Sequence, residues 1–176
     1  MKRSLLENPA TAIAAVISTD SGEGDPAVVA AVEALRRRGV RVRGLLQERE
    51  TGDGCSGMSL IDIERGTRYP ITQNLGSGSK SCALDTGLVA AASAVMHDIA
   101  ASGADLAVFN RFGALEATGG GFHAEMLAIM AAGIPVLAIV PDKQLGAWQH
   151  FTGWQSAELA ADTAQILAWF DKTGRR

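Results

Sequence analysis

Three short apolar runs, "TAIAAVIS" (residues 11–18), "ADLAVFN" (104–110) and "IPVLAIV" (134–140), constrain this chain more than any other feature. A strand with one face in water alternates apolar and polar residues, whereas a short run without alternation needs cover on both faces. Parallel sheets supply that cover, because each crossover lays a helix against the sheet. Between the runs lie stretches with helical spacing. Asp25 followed by Pro26 reads as the N-cap and first residue of one helix, on which Val28, Val29, Val32 and Leu35 share a face until Gly39 stops it. Asp85 reads as the N-cap of a second helix over 86–102, "GGGFHAEMLAIMAAG" as a loop entering a third, and "SAELAADTAQILAWF" as the closing helix.

"VRVRGLLQ" is a further strand, with Arg41 and Arg43 alternating against Val40, Val42 and Leu45. "MSLIDIERGTRYPI" predicts an antiparallel hairpin turning at Glu64 to Gly66, and "TQNLGSGSKSCALD" is too rich in Gly and Ser for regular structure. The element order predicts an α/β fold with a largely parallel sheet and an added antiparallel hairpin. Residues 1–11 are expected as an N-terminal extension and 12–176 as one domain, a size that allows one substantial core.

In such sheets ligands gather at the carboxyl ends of the strands, which brings together the loops at 19–26, 110–121 and 141–146. The first, "TDSGEGDP", sits between a strand and a helix, as a phosphate-binding P-loop does. Laid over G-x-x-x-x-G-K-[ST], it places Thr19 at the first glycine, Gly22 inside the loop, Gly24 at the second glycine, Asp25 at the lysine and Pro26 at the hydroxyl.

"GLLQ", "MSLIDIERGTRYPI", "GADLAVFNRFGALE" and "GIPVLAIVPDKQL", in that order, resemble the small thermophile-type nucleoside triphosphatases of the P-loop class. That resemblance implies a three-layer P-loop-NTPase-like sandwich. It also exposes the differences: Asp25 and Pro26 stand where the family carries its lysine and hydroxyl, and Asn110 and Arg111 where it carries an Asp-Glu pair. "QNLGSGSKSCALD", "NRFGALEATGGGF" and "LGAWQHF" are similar to the bacterial family catalogued as domain of unknown function 2478. Some of its members lie near molybdenum-uptake genes, so this resemblance implies a link to oxyanions and carries over no catalytic residue.

The lysine of a P-loop neutralises phosphates, and its hydroxyl and the acidic strand end hold magnesium. An aspartate at the lysine position repels a phosphate charge about 4 Å away by about 1 kcal/mol in water, and by more when partly buried. At the strand end the sign runs the other way. Arg111 either grips an anion with its fork, helped by the Asn110 amide, or pairs with Glu116 or Asp25 and locks the loops. Ser77, Ser79 and Lys80 could add donors, and Gly119, Gly120 and Gly121 a backbone cradle. His123, Glu116 and Glu125 have no recognised metal spacing, so His123 reads as a surface residue of a first helical turn; His97 and His150 read as structural. Trp148, Phe151 and Trp154 read as packing between helices or subunits.

The expectation is a non-hydrolytic protein that binds a small anion or small molecule, without cofactor or metal. The alternatives are a nucleoside triphosphatase or phosphotransferase with a non-standard site, and an interaction protein whose site decayed. A net charge of −3 without blocks of like charge argues against nucleic acid and anionic membranes as partners, and no apolar run reaches the roughly 18 residues of a membrane span. Cys55 and Cys82 have no metal-ligand spacing and read as free thiols of a cytoplasmic protein, with a homo-oligomer as a candidate assembly.

Overall fold

The computed structural model describes residues 12–19, 24–49, 57–74 and 82–173. The N-terminal extension, the glycine loop around Gly22, and Cys55, Ser77, Ser79 and Lys80 lie outside the described residues. Among the described residues nine strands run in chain order: β1 (Ile13–Ser18), β2 (Val42–Arg49), β3 (Met58–Asp62), β4 (Arg68–Pro70), β5 (Thr72–Asn74), β6 (Cys82–Leu84), β7 (Leu106–Phe109), β8 (Val136–Pro141) and β9 (Ala157–Leu159). The helices are α1 (Gly24–Arg37), α2 (Thr86–Ser102), α3 (Ala114–Ala117), α4 (His123–Ala131), α5 (Leu145–Phe151) and α6 (Thr163–Thr173).

A seven-stranded sheet has the order β4-β3-β2-β7-β8-β1-β9. The strands from β2 to β9 pair in parallel, and β3 and β4 add an antiparallel margin. The apolar runs are buried as their lack of alternation requires. Successive residues of one strand enter opposite layers: Ala14, Val16, Leu106, Val108, Leu137 and Ile139 pack with α1 and α6, whereas Ala15, Ala107, Phe109, Ala138 and Val140 pack with α2 and α4. Helices on both faces of one sheet make the three-layer sandwich.

Local chemistry explains the element ends. Asp85 Oδ1 accepts from the Gly87 amide at 2.8 Å and from Leu88 at 3.2 Å, capping α2 as expected. Asp62 Oδ1 accepts from the amides of Glu64 and Arg65, which turns the chain from β3 into β4. Gly44 lies in β2 opposite Val108 with φ +128°, and a Cβ there would stand 2.0 Å from the Val108 carbonyl oxygen. Only glycine lets β2 and β7 approach at that point.

Three expectations need correction. The Gly/Ser-rich segment begins and ends in regular structure, because β5 and β6 pair antiparallel, with Thr72 opposite Leu84. The presumed closing helix starts as strand β9, whose Ala157–Leu159 extends the sheet beside β1 before α6 begins. The stretch after β8 is helical, a 3-10 turn (Asp142–Gln144) leading into α5, where a loop was expected. In each case pairing or packing with distant residues outweighs local propensity. Among the described residues no helix is long and apolar enough to cross a membrane.

Candidate functional site

The carboxyl ends of β1, β2 and β7 bring the altered P-loop positions to one edge of the sheet. Thr19 follows the end of β1 at the surface. Asp25 is the second residue of α1 rather than its cap, since Gly24 takes the first helical position. Among the described residues its carboxylate accepts no cap bond: Oδ2 faces Arg111 Nη2 at 3.6 Å, and Oδ1 is buried without a partner there. Arg111 Nε is likewise buried and, among the described residues, without a partner. The two side chains, each about one-third exposed, thus form a single loose ion pair between α1 and the end of β7. Burial raises the Asp25 carboxyl above its usual 3.8, because loss of water outweighs the opposing charges of Arg111 and Arg49. Arg111 therefore pairs with Asp25, one of the two partners the sequence offered, and not with Glu116.

Glu116 has other work. Its carboxylate accepts from the Gly113 amide at 2.9 Å through Oε2 and from the Phe122 amide at 3.1 Å through Oε1, so it fills the turn made by Gly119, Gly120 and Gly121. Gly121 has φ +54°, and a Cβ on it would lie 2.0 Å from Glu116 Oε1. The anion held in this glycine loop is a side chain of the protein. His123 is half-buried, with Nδ1 2.8 Å from the Glu116 carbonyl and its ring against Phe151, which corrects its reading as a surface residue. His97 Nε2 lies 3.3 Å from the buried Glu125 carboxylate. Among the described residues no three His, Cys, Asp or Glu side chains gather as metal ligands.

Asn110 is buried and engaged on both sides of its amide. Oδ1 accepts from the Gln47 backbone amide at 2.8 Å, and Nδ2 donates to Gln47 Oε1 at 2.6 Å. Gln47, in the carboxyl-terminal half of β2 and past its last pairing with β7 at Gly44, is the residue that sequence reasoning missed; its place in the "GLLQ" run, toward the end of a strand, was the available signal. Trp148 is fully buried and contacts Phe112 and Phe151, so it packs α5 onto the sheet, whereas Trp154 is 66 % exposed.

Beside these groups opens a cavity of about 450 Å³. Arg49, Arg111, Gln47, Asn110 and Glu116 contribute its polar lining, and the rest is mainly apolar side chains of β2, β3, α2 and the turn before α4. Arg111 lines the cavity on one side and meets Asp25 on the other.

The profile of the family described as "Protein of unknown function (DUF2478)" matches residues 13–169. The chain belongs to the DUF2478 family. A curated relative, "Molybdenum import ATP-binding protein ModC 2" of Bradyrhizobium diazoefficiens, is 37 % identical over 166 residues. That match takes in 93 % of the DUF2478 chain but only 18 % of the relative, so the chain spans less than a fifth of the relative's length. Among solved structures, THEP1 from the hyperthermophile Aquifex aeolicus superposes with a TM-score of 0.60, covering 89 % of this chain and 95 % of that one at 13 % identity. The likeness establishes the P-loop-NTPase-like fold for this DUF2478 chain. At the positions where the sequence comparison set lysine, hydroxyl and Asp-Glu, the DUF2478 chain presents Asp25, Pro26, Asn110 and Arg111.

Proposed function

We propose that this chain binds a small anion or anionic small molecule at the carboxyl edge of its sheet and does not hydrolyse nucleotide. One observation carries the reading: Arg111 lines a cavity of about 450 Å³ while its Nε, a buried donor, has no acceptor among the described residues. A buried donor without a partner costs about 1–3 kcal/mol, a cost that a ligand oxygen removes. Asp25 Oδ2 at 3.6 Å is a poor competitor, because a well-made guanidinium–carboxylate bond is about 2.7–2.9 Å long. The relative named for molybdenum import makes molybdate the first oxyanion to try.

The same relative is also named ATP-binding, and a nucleotide is the competing ligand. Asp25 opposes it, since its charge stands where a triphosphate needs a cation. Titration calorimetry with molybdate, tungstate, sulfate, phosphate and magnesium ATP, beside a phosphate-release assay, separates the readings. We expect magnesium-independent binding of at least one anion and no phosphate release. Magnesium-dependent release of phosphate that Arg111→Gln abolishes would make the chain a nucleoside triphosphatase.

A further inference from the structure

The apolar side of the cavity goes unused by any inorganic oxyanion. Leu45, Met58, Leu60, Ile71, Met96 and Phe122 line it, and all but the half-buried Met58 belong to the buried core between the sheet and α2. A volume of about 450 Å³ lies within the roughly 300–1,000 Å³ of pockets that hold organic ligands. The polar lining is mostly spent: Asn110 and Gln47 satisfy each other, and Glu116 is held by two backbone amides. Among the described residues the cationic groups of the lining are Arg111 and Arg49. Such a lining matches one anionic group joined to an apolar body. A bare tetrahedral oxyanion would lose water against carbon walls that return no hydrogen bond.

Resting on the anion-binding reading above, we propose that the ligand is an organic monoanion: a ring-sized apolar body packed on the Leu45–Leu60–Met96–Phe122 wall, with a carboxylate, sulfonate or similar group on Arg111. That group takes the guanidinium over from Asp25, so Asp25 acts as an internal competitor that holds the arginine in place when no ligand is bound.

Ligand-observed NMR and calorimetry with 2-naphthoate, its neutral partner 2-naphthamide, and molybdate test this, because the first two share one body and differ in charge. We expect 2-naphthoate to bind about tenfold or more tightly than either of the others, the ratio a charge-assisted hydrogen bond provides. Arg111→Gln brings naphthoate down to the level of naphthamide. Asp25→Asn tightens naphthoate, a gain that damage to the fold would not produce. Ala114→Trp, which narrows the cavity from an exposed position, weakens naphthoate and spares molybdate. Molybdate binding with no naphthoate binding overturns the organic-ligand proposal and leaves the anion reading standing. Equal binding of naphthoate and naphthamide, unaffected by Arg111→Gln, overturns both.

Discussion

Asp25 on α1 and Glu116 on α3 show how one chemical group takes opposite roles in one fold. Glu116 is buried and accepts two amide hydrogen bonds; Asp25 is half-buried and has one loose contact with Arg111. Because burial raises the Asp25 carboxyl, its folded form holds the proton to a higher pH than its unfolded form. The stability it contributes is complete below about 3.8 and is lost as pH rises through the elevated value. Asp25→Asn is therefore expected to raise Tm at pH 7, with the gain shrinking toward pH 4, as thermal scans across that range will show. A helix cap in this position would give almost no change, because Asn caps a helix as well as Asp does. Glu116→Gln presents an NH2 group to one of two donors and is expected to cost about 1–3 kcal/mol in urea unfolding. The sequence named Arg111, Asp25 and Glu116 but could not rank their pairings, because those depend on where α1 starts and on how the 113–122 turn closes.

Among the elements, β2 carries the most information. Gly44 admits the β7 backbone, and Gly44→Ala is expected to cost about 3 kcal/mol or more by urea denaturation, since the clash is with main chain that cannot rotate away. Arg43, one residue earlier, is 3 % exposed, ion-paired with Glu64 and Asp98, and donates to Ser102 Oγ at 2.7 Å. Its hydrogen bond and charge hold the Asp98 carboxyl below 3.8; for Glu64, desolvation works upward but Arg41 and Arg43 prevail and hold it below 4.5. Both carboxylates contribute stability above those values that is lost as pH falls through their lowered ones. Arg43→Met should lower the urea midpoint at pH 7, and its difference from the wild type should shrink near pH 3. The alternation of Arg41 and Arg43 with valines marked the strand, but the sequence alone did not bury Arg43. That followed from α2 bringing Asp98 and Ser102 over it. The same limit applies to β5, β6 and β9, three-residue strands set by pairing partners rather than by composition.

At the scale of the molecule, the chain keeps a P-loop-type sandwich while placing an acid and an arginine where the fold's hydrolases place a lysine and acids. The apolar runs made the sandwich legible, because burial on two faces leaves a direct mark on composition. The cavity left no such mark: its wall residues are ordinary core residues until the strand order places them around a common space. We propose Arg111 as the anchor of an anion, without magnesium or hydrolysis. The most direct measurement is calorimetric titration of molybdate and 2-naphthoate into the wild type and Arg111→Gln at matched ionic strength, with and without magnesium. At least one of them is expected to bind the wild type, to be indifferent to magnesium, and to bind the variant about tenfold or more weakly. Affinity that survives Arg111→Gln, or that appears only for a magnesium nucleotide, would contradict it.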